Sequence, residues 1–317
     1  MLRIPELEPD AIRAARAEID PVFRDTPQFV HDGLSSRLGV PVIVKVETVN
    51  PIRSFKGRGT AVAVRRLATE GLIDAGRPVV CASAGNFGQG VAHATRSLGL
   101  PAVVFASRRA NRLKVARMRA LGATVEEIGE DFDDARAAAA AFVAGQDGHL
   151  LVDGDDARIA CGAATMAVEL TDGVGAGTLP APSVVSVPVG NGALINGIGS
   201  WLRGEMPACR VVGIQASGAS SMTLSWRAGR AIDTPTVDTF ADGIAARVAI
   251  PAAVELMDGR VDDMRLVDDE ALRAAQAELS MELGITVEGA AAASWAGLLA
   301  GPRPDGPAVV IVTGSNV

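Results

Sequence analysis

Short apolar runs alternate with helix-patterned segments along nearly the whole chain, and this alternation constrains the fold more than any other feature. PVIVKVE (41–47), PVVCAS (78–83), PAVVFA (101–106), TVEEIG (124–129), HLLV (149–152), SVVSVPV (183–189), RVVGIQA (210–216) and PAVVIVT (307–313) read as strands. Between them lie stretches with helical spacing, at 9–18, 56–71, 86–98, 111–122, 132–145, 161–172, from 194 onward, 222–228, 268–283 and 288–300. Short buried strands separated by helices of about ten to fifteen residues imply parallel sheets with right-handed crossovers. The length of 317 residues is long for one domain, and a hydrophobic content of 48% is ample for two packed cores. The expected fold class is α/β, with two lobes of open, twisted, mostly parallel sheet and helices on both faces. Residues 1–70 and 148–317 form the larger lobe in this reading, and 71–147 are inserted as the smaller one. No repeat or flexible linker divides the chain.

Composition removes several classes of function. The net charge is −7 with acids and bases interspersed, and the aromatics are 8 Phe, 3 Trp and no Tyr. Neither a basic stripe nor a stacking platform exists, so no nucleic-acid partner is expected. Cys81, Cys161 and Cys209 are scattered without CxxC spacing and read as reduced thiols. The first residues, MLRIPELEPDAIRAARAEID, carry acids and helical spacing, which is not the pattern of a signal peptide. No apolar run approaches the roughly 18 residues of a membrane span. The expected location is the cytoplasm.

Within this frame the stretch NPIRSFKGRGT (50–60) stands out. Only Lys45, Lys56 and Lys114 are lysines, while every other basic side chain of the Lys/Arg type is arginine. A lysine amine can lose its proton in a shielded pocket and attack an aldehyde, which a guanidinium cannot do. Lys56 also sits at a strand-to-helix junction, where open α/β sheets place their chemistry. From this stretch alone it reads equally well as a surface lysine at a helix start. Three further strand ends carry unusual turns: SAGNFGQG (83–90), PVGNGALINGIG (188–199) and VTGSNV (312–317). Free amides at a helix N-terminus suit a carboxylate or a phosphate. The first turn is also explained as a tight turn capped by Asn86, and the hydroxyl of Thr313 as a structural strand end. The second lacks both GxGxxG and the GK of a P-loop, so neither a dinucleotide nor a nucleoside triphosphate is indicated.

Taken together and in this order, the four segments resemble the fold type II pyridoxal phosphate enzymes, whose type is the β-subunit of tryptophan synthase, over nearly the full chain. Within them the likeness is to the serine/threonine dehydratase (ammonia-lyase) branch. SFKGRG resembles that branch's lysine motif, SAGNFGQG its substrate-carboxylate loop, PVGNGALINGIG its phosphate loop, and ADGIA (241–245) a further signature. The resemblance implies pyridoxal 5'-phosphate as cofactor, with Lys56 as the Schiff-base lysine and Phe55 as a wall of the cofactor site. It implies Asn86 at the cofactor's phenolic oxygen, and Ser83 with Ala84, Gly85, Asn86 and Phe87 at the substrate carboxylate. Gly190, Asn191, Gly192, Ala193 and Leu194 would give amides to the phosphate, and Thr313 would face the pyridine nitrogen. Lys56 and Ser83 are the residues it assigns to catalysis, the substrate is a small amino acid, and relatives are commonly homodimers.

The departures are informative. The branch usually has His at Phe87, glycines at Asn191 and Ala193, and Ser or Cys at Thr313; GNG and a terminal TG resemble threonine synthases instead. Relatives that bind a cation place acids where Gln215 and Ser221 stand here, so no metal is expected. The expected reaction is elimination of the β-hydroxyl of serine, threonine or a related amino acid to give a 2-oxo acid and ammonia. Lys56 removes the α-proton in this scheme. With no Tyr, and with His31, His93 and His149 outside the motifs, the resemblance leaves the cofactor phosphate to protonate the leaving hydroxyl. A threonine synthase-like or β-replacement reaction is the alternative within the class, and a non-catalytic binding protein is the alternative outside it. The chain stops four residues beyond Thr313, so an effector domain like that of biosynthetic threonine dehydratases is not expected.

Overall fold

The computed structural model describes residues 2–130 and 132–317. The chain opens with helix α1 (Pro9–Ala15), strand β1 (Gln28–Val30), α2 (Asp32–Leu38), β2 (Val42–Val46) and α3 (Lys56–Thr69). The next stretch is β3 (Val79–Ala82), α4 (Asn86–Ser97), β4 (Ala102–Ala106), α5 (Arg112–Ala120), β5 (Thr124–Glu127), α6 (Phe132–Gly145) and β6 (His149–Leu150). Then come α7 (Ala157–Gly175), β7 (Val184–Pro188), α8 (Ala193–Glu205), β8 (Arg210–Ala216), α9 (Ser221–Ala228) and α10 (Pro251–Met257). The chain closes with β9 (Asp263–Val267), α11 (Asp269–Leu283), α12 (Gly289–Ala300) and β10 (Ala308–Val312).

The strands make a six-stranded sheet in the order β1-β2-β10-β7-β8-β9 and a four-stranded sheet in the order β5-β4-β3-β6. All neighbours are parallel except β1, which runs antiparallel to β2 with Gln28 opposite Lys45. The central strands are apolar on both faces because helices cover both. In β10 every residue is buried: Ala308, Val310 and Val312 join Trp295 of α12 and Leu279 of α11, while Val309 and Ile311 join Ile195 and Ile198 of α8. Such continuous apolar runs belong to doubly covered parallel sheets, and each fully buried Val or Ile contributes about 1.5–3 kcal/mol. Parallel strands in one sheet need long crossovers, and the carboxyl ends of β2, β3, β6, β7 and β10 consequently deliver their loops to one side.

Most elements start and stop within two residues of the sequence reading. Helix α7 begins at Ala157 instead of 161, because the Asp156 carboxylate accepts from the Arg158 amide at 2.8 Å and caps it. The stretches 26–40 and 229–267 contain β1, α2, α10 and β9, which the sequence reading did not resolve. β9 is an edge strand whose Asp263 and Arg265 pair with each other at 3.0 Å. Its alternating charges dilute the apolar run that marks a central strand.

Candidate active site

A cavity of about 820 Å³ lies between the two sheets' loop ends. Phe55, Lys56, Ser83, Ala84, Gly85, Asn86, Phe87, Gly190, Asn191, Gly192, Ala193, Leu194 and Thr313 all line it. Segments distant in sequence are thus brought to one cavity.

Lys56 is the first residue of α3, and the loop before it is held by hydrogen bonds to its own backbone. The Asn50 carboxamide oxygen accepts from the amides of Ile52 and Ser54, both at 3.2 Å, and its NH2 donates to the Glu47 carbonyl at 2.9 Å. The Phe55 amide donates to the Thr313 carbonyl at 3.0 Å, which ties the helix start to the end of β10. Lys56 Nζ stands 4.8 Å from the Phe55 ring centroid and donates to Asp153 Oδ2 at 2.7 Å.

The turn after β3 is organised by Ser83. Its hydroxyl oxygen accepts from the Gly85 amide at 3.1 Å and the Gly88 amide at 2.8 Å, so the Gly85 amide is already engaged inside the turn. Asn86 does not cap α4. Its NH2 donates to both oxygens of Glu288, at 3.2 and 3.0 Å, and its carboxamide oxygen accepts from Asn316 Nδ2 at 2.8 Å. Glu288 also accepts from the Asn316 amide at 2.6 Å, and burial pushes its carboxyl up to about 6 against the nearby Lys114 cation.

At the start of α8 the capping position is Gly192, with φ +94° and no side chain to bond the first-turn amides. A left-handed residue here leaves those amides aimed outward, and the helix dipole adds its positive end. Thr313 follows β10, nearly buried. Gln215 Oε1 accepts from the Thr223 amide and hydroxyl, both at 2.9 Å, while its Nε2 is buried without a partner among the described residues, and Ser221 donates to the Ala246 carbonyl at 2.7 Å.

Several cavity residues escaped the sequence reading. Asp153 follows β6, Glu288 precedes α12, and Lys114 of α5 donates to Asp242 Oδ2 of the ADGIA turn. Asp133 of α6 pairs with Arg247 near the same mouth. Their common signal was position: Asp153 and Glu288 flank secondary elements at strand carboxyl ends or helix starts, where the same rule that singled out Lys56 applies.

The chain matches the family described as "Pyridoxal-phosphate dependent enzyme" over residues 19–314. It belongs to that family. The L-threonine dehydratase biosynthetic IlvA of Mycobacterium leprae (strain TN) is 36% identical over 320 residues, covering 99% of this chain and 73% of that protein. The L-threonine ammonia-lyase of Thermotoga maritima is 32% identical over 307 residues, covering 96% of this chain and 75% of the relative. Among solved structures, the processed form of threonine deaminase isoform 2 from Solanum lycopersicum superposes with a TM-score of 0.86 at 29% identity, covering 97% of this chain and 90% of that one. The two-sheet α/β architecture is that of the fold type II enzymes, and the cofactor of the family is pyridoxal phosphate.

Proposed function

We infer that this chain is a dehydratase of a β-hydroxy amino acid, serine or threonine in the first instance, releasing a 2-oxo acid and ammonia. One observation carries the reading: a lysine amine opens into a large cavity, with an uncapped glycine-led helix N-terminus on another wall. The residues fit pyridoxal phosphate. A primary amine is the attachment group the aldehyde requires, and the first-turn amides at Ala193 and Leu194 with the loop Gly190–Gly192 suit a phosphate. When bound, the cofactor supplies an electron-withdrawing ring that stabilises negative charge at the substrate's α-carbon.

The protein's own groups do the rest. Lys56, as a free amine, would serve as the base for the α-proton. The turn Ser83–Phe87 takes the substrate carboxylate on the amides left free after Ser83 has engaged those of Gly85 and Gly88. Asn86, fixed from behind by Glu288 and Asn316, would offer its carboxamide to the phenolic oxygen, and Thr313 would offer its hydroxyl to the pyridine nitrogen. Phe55 and Phe87 wall the cofactor. The segment 71–147, which carries the substrate turn, acts as a lobe closing on the rest. Homodimer assembly and a cytoplasmic location complete the reading; among the described residues no helix is long and apolar enough to cross a membrane.

The test is direct. Borohydride reduction of protein supplied with cofactor should fix the label on Lys56, and Lys56→Ala should abolish oxo-acid release from serine and threonine while leaving the thermal transition intact. A label on Lys45 or Lys114 would overturn the assignment. Product formation only in the presence of an added nucleophile would point to β-replacement instead.

A further inference from the structure

Elimination of a hydroxyl needs an acid as well as a base, since hydroxide is a poor leaving group. The chain has no Tyr, and among the described residues no histidine lines the cavity. Among the described residues, three carboxylates other than that of Asp153 line the cavity, each in bonded form. Asp133 pairs with Arg136 and Arg247, Asp242 with Lys114, and Glu288 accepts from Asn86 and Asn316. None of these three is the partner of the lysine amine, which donates to Asp153.

Asp153 is different. Its Oδ2 accepts from Lys56 Nζ at 2.7 Å, and its Oδ1 is buried without a hydrogen-bond partner among the described residues. A buried carboxylate oxygen left unmet is costly unless a ligand group completes it. The backbone keeps it in place. The amides of Asp155 and Asp156 both donate to the Val152 carbonyl, at 3.2 and 3.3 Å. Gly154, with φ +91°, lies so close to the phosphate loop that an added Cβ would stand 2.2 Å from the Asn191 carbonyl oxygen. The backbone that carries the carboxylate is therefore packed against the loop whose amides would suit a phosphate.

We propose that Asp153 carries the proton that Lys56 takes from the α-carbon to the departing β-hydroxyl. The inference rests on the dehydratase reading above. In balance, the α C–H bond breaks and its proton goes to Lys56 Nζ. The lysine passes a proton to Asp153 Oδ2, and the carboxyl turns about its Cβ–Cγ bond to bring that protonated oxygen against the substrate's β-hydroxyl. As the Cβ–O bond breaks, its electron pair leaves with oxygen, which takes the proton from Asp153 and departs as water. The electron pair of the former C–H bond becomes the Cα–Cβ double bond. Lysine and aspartate end as they began, and no outside acid, oxidant or reductant is consumed. In this scheme the cofactor phosphate needs no proton of its own.

The experiment compares leaving groups in Asp153→Asn and Asp153→Glu, loaded with cofactor. Chloride departs without a proton, so β-chloro-L-alanine bypasses the acid. For Asp153→Asn, oxo-acid release from serine or threonine should fall about 100-fold or more, the usual worth of a positioned acid, while release from β-chloro-L-alanine falls about fivefold or less. In D2O the unreacted serine should gain α-deuterium in this variant, since Lys56 still removes the proton but cannot pass it on. Asp153→Glu should restore part of the hydroxyl reaction. A readout without cofactor comes from amine labelling: trinitrobenzenesulfonate should modify Lys56 several-fold faster in Asp153→Asn than in the wild type, as the ion pair is gone. Equal losses for the hydroxyl and chloride substrates, with no gain of α-deuterium, would overturn the proton relay and leave the dehydratase reading standing. Wild-type protein that releases no oxo acid from any of the three substrates would overturn both.

Discussion

Two clusters of charge flank the first turn of α3, and they are built in opposite ways. Lys56 points into the cavity; Arg58, two residues on, points away from it into a sealed group with Lys45, Glu47 and Glu169, as residues at that spacing do not share a helix face. In the sealed group Arg58 forms paired bonds to both carboxylates: 2.8 and 2.9 Å to Glu47, 2.7 and 2.9 Å to Glu169. Lys45 adds a contact of 2.5 Å to Glu169, and Thr26 donates to Glu47 at 2.5 Å. Two cations meet two anions, and the set joins β2, α3, α7 and the segment before β1. The cavity cluster, by contrast, leaves an Asp153 oxygen unmet and holds Glu288 partly against its own charge. The difference teaches where function sits. Charges whose bonds are complete fix the start of α3, and charges with bonds to spare remain for a ligand.

The largest effect should come from opening the sealed cluster. Removing the Arg58 guanidinium leaves two buried carboxylates to share the single cation of Lys45, so Arg58→Ala should cost about 3–5 kcal/mol in urea unfolding. The pH dependence gives a second handle. Burial alone would raise the Glu169 carboxyl, but the hydrogen bonds and charge of Arg58, with Lys45, overcome it and hold it at about 2, against an ordinary 4.5. A depressed carboxyl stabilises the folded state above its unfolded value and loses that contribution as pH falls toward 2, here about 3 kcal/mol. A loss below about 1 kcal/mol in Arg58→Ala would mean the cluster is not sealed.

Glu288 should show the opposite sign at smaller size. Its carboxyl lies at about 6 in the fold and at 4.5 ordinarily, so the folded state holds the proton more tightly. That contribution is complete below pH 4.5 and is lost as pH rises through 6, roughly 2 kcal/mol in all. The unfolding free energy of the wild type relative to Glu288→Gln should therefore decline by this amount between pH 4 and pH 7. A difference that rises over that interval would contradict the burial argument. Carboxyl-resolved NMR of the same residue should report its midpoint directly.

These contrasts also mark what the sequence could convey. The sheets were legible because parallel strands covered on both sides leave unbroken apolar runs, as in VVSVP and AVVIV. The edge strands β1 and β9 were not, since one is three residues long and the other alternates charge. Within the site, the four turns were legible because glycine, asparagine and a lone lysine concentrate at strand ends. Rarity of lysine was a weaker guide than position: Lys45 and Lys114 are rare and buried too, yet Lys45 serves only the sealed cluster. Asp153, Glu288 and Asn316 went unread because their meaning is the partner across the cavity. No local pattern encodes a contact between Asn86 and Glu288, 202 residues apart.

The smallest effect should come from the bridge at the mouth, between Lys114 and Asp242. Lys114 is nearly buried along its stem, whereas the Asp242 side chain is 57% exposed, so water screens the pair. Its coupling, from a double-mutant cycle with Lys114→Met and Asp242→Asn, should stay below about 1 kcal/mol and shrink further in salt. The pair has a sharper readout in its neighbour. The Lys114 cation lowers the Glu288 carboxyl and the Asp242 anion raises it. Lys114→Met should therefore move the Glu288 midpoint upward from about 6, and Asp242→Asn should move it downward. Shifts of the same sign in both variants would show that Glu288 responds to a rearranged turn instead of to charge. The cavity cluster would then be held by packing, and its contrast with the sealed cluster behind α3 would no longer be electrostatic.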